Sequence, residues 1–89
     1  MLLFVKGLPD DLDDAELREI FEAYGKVKTA NVILDRKTGK SRCFGYVEMP
    51  DMTEAENTIS RLDEAELEGN ILTVKLAEIR SRHKFKKTR

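Results

Sequence analysis

Apolar residues alternate with other residues in four segments of the chain, and this alternation predicts four β-strands. The segments are residues 2–8, 27–34, 42–49 and 71–77. In a strand, residues i and i+2 point to the same face. The third segment, RCFGYVEM, therefore places the aromatic rings of Phe44 and Tyr46 on one face together with Arg42.

Two other segments have apolar residues at helical spacing, and each begins with a helix-capping signal. Asp13 precedes the first and Asp51 the second, and Glu16 and Glu54 follow three residues later, at the capping-box position. Gly25 is expected to end the first helix in the left-handed conformation. The apolar stripes of the two helices are Leu17, Ile20, Phe21 and Tyr24, and Ala55, Ile59 and Leu62.

The predicted order of elements is βαββαβ, and residues 35–41 form a polar loop that makes strands two and three a β-hairpin. This order predicts an α+β, ferredoxin-like fold. In such a fold, two helices cover one face of a four-stranded antiparallel sheet. The other face is left in water, as antiparallel sheets allow.

The charged residues of the strands determine which side chains face water. Lys6 would be costly to bury without a partner, so Leu3 and Val5 point to the helices and Phe4 points away. Arg42 and Glu48 would also be costly to bury, so their face of the third strand, which includes Phe44 and Tyr46, points to water. Three aromatic side chains then lie on the open face: Phe4, Phe44 and Tyr46. An exposed aromatic cluster usually marks a binding surface.

The 89 residues are enough for one small domain, predicted at residues 1–79, and the charge is divided unevenly along the chain. Residues 80–89 hold six of the 16 basic residues and none of the 17 acidic ones, although the net charge is −1. Such a block is typical of a flexible, solvated interaction arm. One cysteine and one histidine provide neither a catalytic set, a metal site nor a disulfide framework. No apolar run is long enough to span a membrane.

Two motifs resemble those of the RNA recognition motif family. The family octamer is K/R-G-F/Y-G/A-F-V-x-F/Y, and residues 42–49 have RCFGYVEM at the third strand. Residues 3–8, LFVKGL, are similar to its first-strand hexamer. The resemblance covers residues 2–78, and the hairpin also looks like that of small bacterial single-domain members. Cys43 replaces a glycine and Met49 an aromatic residue, and alternation predicts that both face inward.

The resemblance implies binding of single-stranded RNA, with bases stacked on the sheet aromatics. Phe4 and Tyr46 are expected to be the main stacking rings, Phe44 to pack against sugars, and Arg42 to pair with a phosphate. The strand pattern adds side chains on the same face that could contact base edges. The basic tail adds phosphate contacts through its arginines. These further candidates are Lys6, Asn31, Lys75, Ala77, Arg80 and Arg82.

The main alternative is a family member that binds a peptide or partner protein, since the predicted helices are rich in Asp and Glu. Single-stranded DNA also stays open as a ligand. No cofactor or membrane partner is expected, and the chain is expected to be a cytoplasmic monomer, or nuclear if eukaryotic. Whether it is a whole protein or one domain of a longer one stays open.

Overall fold

The computed structural model describes residues 1–78; residues 79–89, and with them the predicted basic tail, lie outside the described part. The elements in chain order are β1 (Leu2–Lys6), α1 (Asp14–Glu22), β2 (Thr29–Leu34), β3 (Ser41–Glu48), α2 (Met52–Leu62), β4 (Glu66–Leu67), β5 (Asn70–Ile71) and β6 (Thr73–Glu78). The predicted βαββαβ order is confirmed, with the short β4–β5 hairpin inserted before the last strand.

The four long strands form one sheet in the order β2-β3-β1-β6, and every neighbouring pair is antiparallel. This is the predicted ferredoxin-like arrangement. The core lies between the sheet and the two helices, and Leu3, Val5, Leu17 and Phe21 are completely buried in it. The inward direction predicted for Leu3 and Val5 is therefore confirmed. Phe4 lies between them in sequence and consequently points away from the helices.

Both helices begin at the predicted aspartates, but only the first has a complete capping box. The Asp13 carboxylate accepts from the Glu16 backbone N–H at 2.8 Å, and Glu16 accepts in return from the Asp13 N–H at 3.0 Å. Asp51 caps α2 through the Glu54 N–H at 2.9 Å. The Glu54 carboxylate accepts instead from the backbone N–H of Lys26, also at 2.9 Å. Glu54 therefore ties α2 to the loop between α1 and β2.

The predicted role of Gly25 is wrong. Helix α1 ends at Glu22, Ala23 is its C-cap in the right-handed region, and Gly25 is not among the positive-φ glycines. A Cβ at Gly25 would lie 2.7 Å from the Glu54 Cβ and 2.9 Å from the Met49 Cε. Close packing against the start of α2 therefore explains the glycine, and a left-handed helix cap does not.

The last strand begins at Thr73, two residues later than predicted, because the preceding residues form the β4–β5 hairpin. Leu67 pairs with Asn70, and both Glu68 and Gly69 between them have positive φ. Asp63, just after α2, accepts from the Val74 N–H at 3.0 Å and so fixes the start of β6. Two-residue strands are too short to produce an alternating pattern, which is why the sequence did not reveal them.

Candidate nucleic-acid interface

The sheet face that the helices leave uncovered carries a row of side chains across all four strands. Asn31 on β2 lies opposite Tyr46 on β3, Tyr46 lies opposite Phe4 on β1, and Phe4 lies opposite Lys75 on β6. A second row begins with Phe44, which lies opposite Lys6. Directly opposite residues in antiparallel strands have Cβ atoms about 5 Å apart. The register thus places polar groups on both sides of a central aromatic pair.

The three aromatic rings form one cluster, which we call the ring cluster: Phe4, Phe44 and Tyr46. The Phe4 centroid lies 5.6 Å from that of Phe44 and 5.5 Å from that of Tyr46, and the last two are 6.3 Å apart. All three side chains are half-buried, because each ring covers part of its neighbours. The expected direction of the rings is confirmed, and their exposure is partial. The Arg42 guanidinium lies 6.0 Å from the Phe44 centroid, within cation–π range.

Gly45 allows the ring cluster and β2 to come together. It lies between Phe44 and Tyr46 in sequence and faces the core, where it is buried. A Cβ at this position would come within 2.4 Å of the Asn31 carbonyl oxygen and 3.1 Å of the Val32 Cα. Any side chain at Gly45 would push β2 away from β3. The glycine is therefore required to hold Asn31 opposite Tyr46.

Cys43 departs from the predicted alternation. It lies where β3 bulges relative to β2, and its φ of 63° is in the left-handed region. Its side chain is half-buried, so the expectation of a fully buried thiol is wrong. Its carbonyl oxygen accepts from the backbone N–H groups of Gly7 and Leu8 at 3.1 and 3.0 Å. The bulge thus anchors the loop after β1 beside the ring cluster. Met49, by contrast, is fully buried as predicted.

The structure brings most of the sequence-predicted site residues together on this face. Phe4, Phe44 and Tyr46 are in contact, Arg42 reaches Phe44, and exposed polar side chains at Lys6, Asn31 and Lys75 surround them. Arg80 and Arg82 lie outside the described residues.

Two residues of β6 change the predicted set. Ala77 is exposed, but it lies at a bulge where Leu76 pairs with Leu3 and Glu78 with Leu2, so alternation does not fix its direction. Thr73 lies opposite Lys6 and belongs to the second row, although it is not among the site residues predicted from the sequence. The alternation that selected Lys75 would also have found Thr73.

Charges on the described residues are segregated between the two sides of the molecule. Residues 10–22 and 51–68, which contain the helices, carry 14 acidic and two basic residues. Residues 2–6, 29–48 and 73–78, which contain the sheet strands and the β2–β3 loop, carry six basic and three acidic residues. The open sheet face and its loop are therefore the positive side, which the net charge of −1 conceals.

The β2–β3 loop is held by Asp35. Its carboxylate accepts from the backbone N–H groups of Thr38 at 3.0 Å and Lys37 at 2.8 Å. These hydrogen bonds, with that of Thr38 the larger contribution, lower the pKa of Asp35 from its ordinary value of 3.8. The carboxylate thus orders a loop that contains Arg36, Lys37 and Lys40.

Residues 1–78 contain neither a cluster of metal ligands nor a helix that could span a membrane. In that part of the chain no three His, Cys, Asp or Glu side chains come together to hold a metal ion. No helix of residues 1–78 has the length and apolar character needed to cross a membrane.

Comparison with known proteins points to one family. The family model described as RNA recognition motif matches residues 3–73. The 31 kDa chloroplast ribonucleoprotein of Nicotiana sylvestris is 42% identical over 80 residues, which are 90% of this chain and 25% of that protein. The RNA-binding protein PG1, whose crystal structure is known, is 39% identical in sequence to this chain. The two structures superpose with a TM-score of 0.85, and the match covers 92% of this chain and 99% of PG1. The Sxl-lethal protein, solved as a complex with RNA, is 35% identical in sequence to this chain. Its structure superposes with a TM-score of 0.80, and the match covers 85% of this chain and 47% of that one. The chain spans only about a quarter of its chloroplast relative.

Proposed function

Because the chain belongs to the RNA recognition motif family, we propose that it binds single-stranded RNA on the open sheet face. The observation that carries the proposal is the ring cluster, whose centroids are 5.5 to 6.3 Å apart on the face that no helix covers. Every base has a flat face, so an exposed ring gains contact energy with any sequence. A solved relative at 35% identity is a complex with RNA, which supports the same ligand.

The three rings contact different parts of the RNA, according to the row in which each ring lies. Phe4 and Tyr46 are the central pair of the first row and offer two neighbouring stacking platforms. Phe44 lies in the second row, beside Lys6, where it packs against a sugar between two nucleotides. Arg42, held over Phe44, then pairs with the adjoining phosphate through its planar guanidinium.

Polar side chains at the ends of the rows contact base edges and the backbone. Asn31 and Lys75 lie at the two ends of the first row and are both exposed. An asparagine side chain both donates and accepts hydrogen bonds, while a lysine only donates. Arg80 and Arg82 of the basic tail add phosphate contacts. The acidic helices repel phosphates, so they favour approach of the RNA to the opposite face.

A matched pair of substitutions at Tyr46 tests the stacking mechanism. Tyr46→Leu keeps an apolar side chain but removes the ring, and we expect the free energy of binding to weaken by roughly 1–3 kcal/mol. Tyr46→Phe keeps the ring and should bind nearly as well as the wild type. Fluorescence anisotropy with a labelled single-stranded RNA measures both. Equal weakening by the two variants would contradict stacking.

The contribution of the tail is tested by the salt dependence of binding. Each phosphate that a basic side chain neutralises on a single strand steepens the plot of log affinity against log salt concentration by about 0.7. Removal of residues 80–89 should therefore make the slope shallower. An unchanged slope would mean that the tail does not contact RNA.

A second candidate function is binding of a basic partner protein. The observation that favours it is the acidic side of the molecule, where residues 10–22 and 51–68 carry 14 acidic residues. A partner on that side would leave the ring cluster free. Such binding would survive loss of the rings, which distinguishes it from RNA binding.

A further inference from the structure

Glu48 places a carboxylate at the edge of the ring cluster. It follows Tyr46 by two residues on β3 and therefore shares its face. It lies opposite Leu2 on β1 and Thr29 on β2, so the next row of the sheet is centred on it. The side chain is half-buried.

Within residues 1–78, Glu48 has no protein partner for its carboxylate. The ion pair found in that part of the chain joins Arg18 to Glu22, and no side-chain hydrogen bond there involves Glu48. Its negative charge lies on the same face as the basic side chains of Lys6 and Lys75. A carboxylate repels phosphates, so its presence beside stacking rings does not serve general attraction of RNA. A base with two hydrogen-bond donors could instead donate to both oxygens of the Glu48 carboxylate.

We propose that Glu48 makes this surface selective for guanine, an inference that rests on the proposed RNA binding. An ionised carboxylate only accepts hydrogen bonds, through two oxygens. Guanine presents two adjacent donors on its Watson–Crick edge, N1–H and the N2 amino group, which match the two oxygens. Adenine and cytosine present one donor group beside an acceptor, and uracil presents one donor between two acceptors.

The position of Glu48 suits this contact. Two residues along a strand span about 7 Å, so a guanine stacked on Tyr46 can extend its edge to the carboxylate. The charge on the acceptor makes each hydrogen bond stronger than one between neutral groups. A stacked base also excludes water from the half-buried carboxylate, which strengthens the interaction further.

The test measures binding of the full chain to an all-uracil RNA and to strands with guanine at each position in turn. The wild type should bind one guanine-containing strand on the order of tenfold more tightly than the all-uracil strand. Glu48→Gln keeps the size of the side chain but removes its charge and one acceptor. This variant should lose the guanine preference and bind all-uracil RNA no more weakly than the wild type.

Inosine identifies the atoms involved, because its base, hypoxanthine, is guanine without the N2 amino group. Replacing the preferred guanine with inosine should remove most of the preference in the wild type and change little in Glu48→Gln. A guanine preference that persists in Glu48→Gln, or no preference in the wild type, would overturn the proposal. Failure of the proposed RNA binding would give a different result from failure of the guanine preference. If RNA did not bind on the ring cluster, Tyr46→Leu would bind all-uracil RNA as tightly as the wild type.

Discussion

The left-handed backbone at Cys43 leads to a stability prediction that reverses the usual order of two substitutions. With φ of 63°, this position favours glycine, which has no Cβ. Cys43→Gly and Cys43→Ala both remove the sulfur, and they differ only in the Cβ. At an ordinary strand position the alanine variant would be the more stable. We expect the glycine variant to be the more stable here.

The magnitude follows from two opposing effects. A Cβ in the left-handed region costs about 1–2 kcal/mol. Glycine gives back about 0.4–1 kcal/mol, because it makes the unfolded chain more flexible. Cys43→Gly should therefore exceed Cys43→Ala in the free energy of unfolding by about 0.5–1 kcal/mol. For a domain of this size the difference corresponds to a shift of roughly 2–8 °C in Tm.

Urea unfolding followed by circular dichroism, together with thermal unfolding, measures the difference. The matched control is the same pair at Lys75, an exposed β6 position without positive φ, where alanine should be more stable than glycine by about 0.5–1 kcal/mol. The prediction is thus an opposite sign at the two positions. If Cys43→Ala were the more stable variant at position 43, the argument from backbone strain would be refuted.

Three further predictions concern the frame that holds the ring cluster. Gly45→Ala should destabilise the protein by about 1–3 kcal/mol in urea unfolding and weaken RNA binding, because its Cβ would lie 2.4 Å from the Asn31 carbonyl oxygen; unchanged stability would contradict the close approach of β2. Asp35 should titrate below 3.8 in a carbon-detected NMR experiment, because hydrogen bonds, first of all that from the Thr38 N–H, lower its pKa. The stability that the Asp35 carboxylate adds should be lost as the pH falls through that lower pKa. A titration midpoint at or above 3.8 would contradict this. Arg18→Ala should lower the free energy of unfolding by about 1 kcal/mol, since the guanidinium donates to two carbonyl oxygens before β2 at 3.1 and 2.9 Å, and Arg18→Lys should not restore it.

Local patterns in the sequence predicted the fold because the helix-capping signals and the strand alternation indicate the same order of elements. The Asp13 capping box lies where the structure has it, and the charged Lys6 correctly turned Phe4 away from the core. Both are signals that a few neighbouring residues determine. The ring cluster followed from the same alternation applied to β1 and β3. Its members' mutual burial did not, because that depends on distances between strands.

The features that the sequence did not reveal depend on contacts between distant segments. Gly25 was interpreted as a helix cap, although its reason is the approach of Glu54 from α2. Cys43 was assigned by alternation, but the bulge in β3 breaks that pattern. At this position the resemblance carried information that the residue itself did not. The family octamer has glycine there, and a positive φ is the physical reason for it.

The most direct test of the account is the affinity of the chain for a random pool of single-stranded RNA. The wild type should be compared with Phe4→Ala/Tyr46→Ala, after circular dichroism has shown that the variant is folded. Because stacking contributes roughly 1–3 kcal/mol for each base, the double variant should bind the pool at least tenfold more weakly. Equal affinity of the two proteins would contradict the claim that the open sheet face binds RNA through its rings.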